Sequence, residues 1–186
     1  GKGTLITSEE CLLHPTIQVR NACFTKADYE QAFNQFLGVT NVIWLGNGIV
    51  GDDTHGHIDD LARFVNEDTI VTVVETNQKD ENYKPLQDNL KRLQNAVLEN
   101  GKKPNIVFLP MPKPLWFDGI TLPASYANFL ILNKTVLVPT FNDANDRVAL
   151  NTIADCFPNH EVIGISAIDF IWGFGSLHCL SQQIPE

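Results

Sequence analysis

Short β-rich runs alternate with helical stretches along this 186-residue chain, and this alternation predicts an α/β fold. We predict strands at residues 3–7, 42–45, 106–109 and 162–165, and helices at residues 26–37, 86–99 and 144–156. Thr25 and Gly38 are placed as the N-cap and the C-terminal stop of the first helix. A chain of this length suits one domain, so residues 1–186 are treated as a single domain segment.

Two passages of the chain predict hairpins that resemble each other. Residues 62–65 pair with 69–74, residues 126–132 pair with 135–138, and both hairpins carry an Ala-x-Phe motif. The resemblance predicts a repeated α/β module whose equivalent loops converge on one centre. Between the two hairpins, the prolines of residues 109–118 predict an irregular loop in which Trp116 and Phe117 cover a pocket.

Charge and cysteine content restrict the classes of partner. The net charge of −9 argues against nucleic acid and favours small cationic ligands. The sequence contains no apolar run long enough for a membrane span, so no membrane partner is predicted. The four cysteines lack the spacing of a disulfide framework or a zinc site, and a reducing cytoplasm is therefore the expected location. The chain begins, at Gly1-Lys2-Gly3, without an initiator methionine and inside a predicted strand, which indicates a fragment of a longer protein.

Histidines and carboxylates are concentrated at residues 51–60. One hypothesis treats the run His55, His57 and Asp59 as metal ligands of a metallohydrolase, although the later ligand histidines of that pattern are missing. The other makes His57 a general acid/base, with Asp59 on the same face if the segment is extended. Asp53 and Asp60 are then expected to bond loop backbone or to lie in solvent.

The second chemical centre is Cys179, which follows an apolar run and a glycine-containing turn. Cys23 and Cys156 fit the role of apolar packing residues better. A thiol is a good nucleophile only when its pKa is lowered, commonly by a histidine that is paired with a carboxylate. Since adjacent side chains on a strand point to opposite faces, His178 is a poorer partner for Cys179 than His57.

Four motifs resemble the family of agmatine deiminases and bacterial peptidylarginine deiminases. They are Trp44-Leu45-Gly46-Asn47-Gly48-Ile49, Gly51-Asp52-Asp53-Thr54-His55-Gly56-His57-Ile58-Asp59, Leu122-Pro123-Ala124-Ser125-Tyr126-Ala127-Asn128-Phe129 and Leu177-His178-Cys179-Leu180-Ser181-Gln182-Gln183. The resemblance implies a pseudo-fivefold α/β propeller of the guanidino-group-modifying superfamily. It also implies that only the later repeat modules, the C-terminal half of the catalytic domain, are present.

The same resemblance assigns roles to residues. It implies Cys179 as nucleophile, His57 as acid/base and Asp59 as a guanidinium ligand, with no metal or organic cofactor. The residues placed at the substrate-binding site are Asp53, Asn128, Trp116 and Gly175. Phe174 stands where many members have a glycine, and it either narrows the substrate channel or faces away from it.

The expected activity is deimination of a small cationic guanidinium substrate. Agmatine, giving N-carbamoylputrescine and ammonia, is the first choice, and peptidyl-arginine is the alternative. A metallohydrolase and an inactive fragment are the rival classes. The expected protein partner is a second copy of the chain or the missing N-terminal half.

Overall fold

The computed structural model describes residues 1–184, so the last two residues of the expected single domain lie outside it. Its strands are β1 (Thr4–Ser8), β2 (Asn41–Leu45), β3 (Ala62–Phe64), β4 (Thr69–Val74), β5 (Asn105–Pro110), β6 (Leu115–Phe117), β7 (Ile120–Leu122), β8 (Leu130–Ile131), β9 (Thr135–Thr140) and β10 (Glu161–Ser166). Its α-helices are α1 (Glu9–Leu13), α2 (Lys26–Leu37), α3 (Tyr83–Asn95) and α4 (Asp146–Cys156). Two short 3₁₀ helices span Ile58–Asp60 and Phe170–Gly173.

Three strand–helix–strand units organise the chain. The parallel strand pairs β1–β2, β4–β5 and β9–β10 enclose helices α2, α3 and α4 in sequence. An antiparallel strand precedes the second and third units, β3 beside β4 and β8 beside β9, so the two sheets share one topology. The predicted α/β class and the repeated module are therefore confirmed.

The Ala-x-Phe motifs themselves do not occupy equivalent positions. Phe64 pairs with Ile70, the second residue of β4, whereas Ile131 pairs with Val136, the second residue of β9. Ala127, Asn128 and Phe129 consequently precede β8, which is only two residues long and shorter than predicted. This displacement leaves Asn128 in a loop, where its side chain is free to face another part of the protein.

The proline-rich segment contains a hairpin that the sequence reading missed. β6 pairs with β7 through a two-residue turn at Asp118-Gly119, and both residues have positive φ angles of 48° and 79°. Asp-Gly is a strong signal for such a turn because both residues tolerate this conformation. Pro110, Pro112 and Pro114 precede the hairpin strand and do not remove its ladder hydrogen bonds.

Helix ends follow capping chemistry. α2 begins after a capping box formed by Thr25 and Asp28, and it ends at Gly38, which is left-handed with φ 69°, as predicted. α3 starts at Tyr83, before the predicted residue 86, because Pro85 is tolerated in the first turn of a helix. It also ends early, at Asn95, and the following residues form a separate turn in which the Gly101 amide donates to the Leu98 carbonyl.

One apolar core joins the three units. Its fully buried side chains come from all parts of the chain and include Leu45, Ile70, Val71, Leu93, Tyr126, Phe129, Val136, Ile153 and Ile171. None of the helices in residues 1–184 combines the length and apolarity needed to cross a bilayer. The loops that follow β2, β5 and β10, each the second strand of its unit, carry the residues described next.

Candidate active site

The loop after β2 is held in place by buried polar side chains of the neighbouring helices. Asn89 of α3 accepts from the Gly46 amide at 2.7 Å and donates to the Asn47 carbonyl at 2.8 Å. Gly48 and Gly56 cross so closely that a Cβ on Gly48 would lie 2.5 Å from the Gly56 Cα. Asp52 braces the turn by accepting from the His57 amide at 2.9 Å. This scaffold delivers the 3₁₀ helix with Asp59 and Asp60 to the site.

Asp59 and Asp60 are both buried, with 8% and 4% of their surface exposed. Because Ile58–Asp60 is a 3₁₀ helix and not an extended segment, the two adjacent carboxylates turn toward the same cluster. The expectation that Asp60 bonds backbone or lies in solvent is wrong for its carboxylate. Oxygen atoms of the two carboxylates and Cys179 Sγ all lie within 4.8 Å of one another.

Asn128 is the hub of the site. Its Nδ2 donates to Asp59 Oδ2 at 3.1 Å, to Asp60 Oδ1 at 2.9 Å and to Cys179 Sγ at 3.0 Å. Its Oδ1 accepts from Ser176 Oγ at 2.9 Å and from the amides of His178 and Cys179 at 3.0 and 3.2 Å. With three donors fixing its oxygen, the amide can present only its NH₂ group to the thiol and the carboxylates.

His178 and Cys179 lie in a turn, so the alternation expected of a strand does not apply. His178 Nδ1 lies 2.7 Å from Asp59 Oδ2, and Cys179 Sγ donates to the same oxygen at 3.3 Å. The strand argument against His178 therefore fails, whereas the preference for His57 as the partner of Cys179 stays a prediction. His178 contacts the Asp59 carboxylate next to the thiol and orients that carboxylate.

The glycine-containing turn gives room to the cysteine. A Cβ on Gly175 would lie 2.7 Å from the Cys179 Cβ and 3.3 Å from its Sγ. Phe174 packs against the apolar core, and its backbone lies in the left-handed region at φ 59°. The lack of a side chain at Gly175 thus leaves space for Cys179, and the predicted place of Gly175 at the substrate-binding site stays a prediction.

The electrostatics of the thiol oppose its ionisation. Burial, together with the nearby Asp60 and Asp59 carboxylates, raises the pKa of Cys179 to about 12. Burial and the Asp59 charge also raise the pKa of Asp60 well above its ordinary value. Burial works against an ionised Asp59 too, yet the hydrogen bond and charge of His178 hold its pKa below the ordinary value. These groups thus act on the thiol pKa in the direction opposite to the lowering that the sequence argument calls for.

Three predicted site residues are not in this cluster. His57 is half-buried, and its Nε2 lies 3.3 Å from an Arg20 nitrogen, with no hydrogen bond to Cys179 within residues 1–184. Asp53 is exposed and contributes its backbone carbonyl to a hydrogen bond from Gln18. Trp116 is 66% exposed on the β6–β7 hairpin, beside a cavity of about 200 Å³ that it shares with Asp80 and Glu81.

The metal hypothesis for His55, His57 and Asp59 is not supported by the geometry. Among residues 1–184, the one set of three potential ligand side chains that converge is Asp59, Asp60 and Cys179. His55 instead lies 3.8 Å from a Glu10 carboxylate oxygen, with its backbone in the left-handed region at φ 56°. The histidines of the run therefore point to different places.

Comparisons with known proteins address the family of the chain. The Porphyromonas-type peptidyl-arginine deiminase family matches residues 1–185. The chain belongs to this family. A curated relative, the "Putative agmatine deiminase" of Marinomonas sp. (strain MWYL1), is 36% identical over all of the chain and 54% of its own length. The chain thus spans about half the length of the curated relatives it matches.

Solved structures of the family show the same fold. The "Putative Arginine Deiminase from Porphyromonas gingivalis" is 41% identical, with a TM-score of 0.93 over 100% of this chain and 54% of that one. A cysteine-to-serine variant of the C. jejuni agmatine deiminase with substrate bound is 36% identical, with a TM-score of 0.86 over 96% and 51%. The expected membership of the guanidino-group-modifying superfamily is confirmed.

Sequence reasoning missed Asp60, Ser176 and the contact of His178 with Asp59. Only Asp60 had a local signal, since it adjoins Asp59 in a glycine-rich loop. The other contacts join residues more than 45 positions apart, which no local pattern specifies.

Proposed function

We propose that the protein carrying this chain deiminates a guanidinium group by hydrolysis, with Cys179 as the nucleophile. The observation that supports this most directly is the convergence of a thiol, two buried carboxylates and an oriented amide from three separate loops. A guanidinium is planar and cationic, and carboxylates bind it through charge-assisted hydrogen bonds. Asp59 is the guanidinium ligand in this proposal.

The substrate itself activates the thiol in this proposal. The Asp59 and Asp60 charges help to raise the pKa of Cys179. A bound guanidinium cation offsets these charges, and it therefore favours the thiolate at the moment when the carbon to be attacked is in place. The Asn128 NH₂ group donates to Sγ at 3.0 Å and also stabilises the anion.

The reaction then runs in two halves. The thiolate adds to the guanidinium carbon, and ammonia leaves with a proton supplied by the His57 imidazolium, which gives an S-alkylthiouronium on Cys179. Water, deprotonated by neutral His57, adds to the same carbon, the C–S bond breaks, and a ureido product leaves with the thiolate restored. The acid/base role of His57 rests on its match to the family motif.

Agmatine is the proposed substrate, and the proposed product is N-carbamoylputrescine, a precursor of putrescine. The names of the Marinomonas and C. jejuni proteins favour it. The family description favours peptidyl-arginine as the second candidate. Ammonia release from agmatine, free arginine and a blocked arginine peptide, each given to the full-length protein, decides between them.

The nucleophile is tested with Cys179→Ala. We expect at least a thousandfold loss of ammonia release with an unchanged melting temperature, because the covalent step is removed and Cys179 is not part of the apolar core. Cys23→Ala, at an exposed cysteine, is the matched control and should keep wild-type activity. An active Cys179→Ala protein would end the assignment.

A further inference from the structure

Arg63 lies behind the site and has no role in the mechanism above. It is half-buried on β3, three residues after Asp60 in the chain. Its Nη1 donates to the Phe129 carbonyl at 2.9 Å and to the Ala127 carbonyl at 3.3 Å, and its guanidinium carbon lies 5.0 Å from the centroid of the Phe129 ring. These two carbonyls flank Asn128, so one side chain holds the backbone on both sides of the hub.

The charge of Arg63 also acts on the site. Within residues 1–184 no carboxylate oxygen lies within 4.0 Å of its guanidinium. Burial lowers its pKa, and the charges of Asp59, Asp60 and Cys179 oppose that effect. In return, its positive charge opposes the rise in the pKa of Asp60. Arg63 is therefore a half-buried cation that is subject to the charges of two carboxylates and a thiol, and within residues 1–184 it forms no ion pair with either carboxylate.

We propose that Arg63 is a positioning residue for the deimination reaction, which fixes the Asn128 hub from behind and supplies the positive charge that Asp59, Asp60 and Cys179 face. This inference rests on the proposed function for its catalytic consequence. The electrostatic part concerns the thiol alone, and it is measurable whether or not the protein turns over agmatine.

The remaining charged groups around the thiol come from two segments. Asp52, His57, Asp59 and Asp60 belong to the loop after β2, and His178 precedes Cys179 in its own turn. Most members of this set are carboxylates, and their negative charges raise the pKa of the thiol. Because the positive charge of Arg63 opposes them, its loss should raise the pKa of Cys179 further.

The experiment compares Arg63→Gln, which keeps N–H donors but loses the charge, with Arg63→Lys, which keeps the charge but loses the planar fork. The first readout is the rate at which iodoacetamide alkylates Cys179 at pH 9, followed by mass spectrometry of its peptide. We expect a roughly tenfold slower rate in Arg63→Gln, since one pKa unit changes the thiolate fraction tenfold. Arg63→Lys should alkylate at an intermediate rate, because it keeps the charge but weakens the hydrogen bond from Asn128 to Sγ. Arg147→Gln, at an exposed arginine on α4, is the matched control.

A role in positioning alone predicts equal rates in the two variants. If Arg63 acted only through the backbone beside Asn128, both variants would lose the hydrogen bond from Asn128 to Sγ, and their alkylation rates would fall alike. General opening of the fold would instead accelerate alkylation of the half-buried Cys156. Equal rates in Arg63→Gln and Arg63→Lys, or an unchanged or faster rate in Arg63→Gln, therefore overturn the electrostatic part. If this variant does not fold, Asp60→Asn/Arg63→Gln is compared with Asp60→Asn alone, and the same slowing is required.

Turnover by the full-length protein tests the positioning part. We expect Arg63→Lys to lower kcat about tenfold with little change in KM, because Asn128 is displaced from the reacting thiol. Wild-type kcat in Arg63→Lys overturns it. If the wild-type protein deiminates none of the three substrates, the proposed function fails, and the alkylation result still decides the electrostatic part.

Discussion

The adjacent residues Asp59 and Asp60 both influence the pKa of the Cys179 thiol. Burial alone would disfavour the thiolate of Cys179, and two carboxylates within 4.8 Å add to that effect. A cation bound beside the carboxylates, as in the proposed reaction, would offset both charges and favour the thiolate.

Asp60→Asn should accelerate alkylation of Cys179 at pH 9 by roughly tenfold, because it removes one charge that raises the thiol pKa. Thermal melting is measured on the same samples. The folded protein raises the pKa of Asp60, so its carboxyl costs stability progressively as pH rises from the unfolded value of 3.8 toward the folded one. The melting temperature of the variant should therefore exceed that of the wild type at pH 8 and equal it at pH 3. A lower melting temperature at pH 8 would contradict this reasoning.

At the level of single residues, the sequence placed Cys179, Asp59 and Asn128 correctly in one cluster. The motif match supplied Asn128, whereas the residues alone already connected Cys179 with the His/Asp run through His57. Asp53 lies outside the cluster, and Asp52, one position earlier, has the turn-bracing role. The substrate-binding role of Asp53 stays a prediction. Residue type alone does not distinguish two adjacent aspartates on a loop.

Among the elements, α4 anchors the loop that carries Asn128. Tyr126 is fully buried, and its hydroxyl donates to Asp146 Oδ1 at 2.7 Å in the first turn of the helix. The same carboxylate oxygen accepts from the Phe141 amide at 2.9 Å. The hydrogen bond and burial together push the pKa of Tyr126 upward, so the hydroxyl remains a donor throughout the working pH range.

Tyr126→Phe removes this donor and should lower the free energy of unfolding by about 1.5–3 kcal/mol, the usual contribution of a hydrogen bond to a charged partner. Denaturant titration measures the change. Tyr83→Phe is the control, since the Tyr83 hydroxyl makes no hydrogen bond to the part of the chain described here. Equal losses of unfolding free energy in both variants would mean that the hydrogen bond from Tyr126 to Asp146 contributes nothing to stability.

Element prediction succeeded where local chemistry decides the outcome. The capping box at Thr25 and the left-handed Gly38 define α2 without help from the rest of the protein. It failed at residues 109–118, where three prolines concealed a hairpin that Asp118-Gly119 indicates. The short β8 was overestimated because Arg63 holds the Ala127 and Phe129 carbonyls outside the strand ladder, through contacts 64 and 66 positions apart in the chain.

The whole molecule places its chemistry at one end of three similar units. Each unit ends with a strand whose following connection contributes one side of the site. Asp59 lies after β2, and Cys179 lies after β10. Asn128 lies in the connection after β5, between the β6–β7 hairpin and β8. The repeat was predictable from its alternating elements. The convergence of its loops was predictable in outline, but the contacts across the centre depend on packing of the complete core.

The isolated 186-residue chain should release no ammonia from agmatine, because the resemblance requires guanidinium-binding carboxylates that lie outside it. The full-length protein is the positive control in the same assay. Measurable turnover by the chain alone would refute this expectation and would show that Asp59 and its neighbours suffice. Size-exclusion chromatography of both samples tests the predicted self-association, or the pairing with a further segment.

The three donors that converge on Asn128 Oδ1 have a consequence for hydrogen exchange. Two of them are backbone amides, those of His178 and Cys179, which lie in a turn outside any sheet or helix ladder. Amides in such turns normally exchange quickly with solvent, but these two should exchange slowly for as long as the asparagine is docked. Their protection factors therefore report, without any substrate or label on the cysteine, how often the site comes apart.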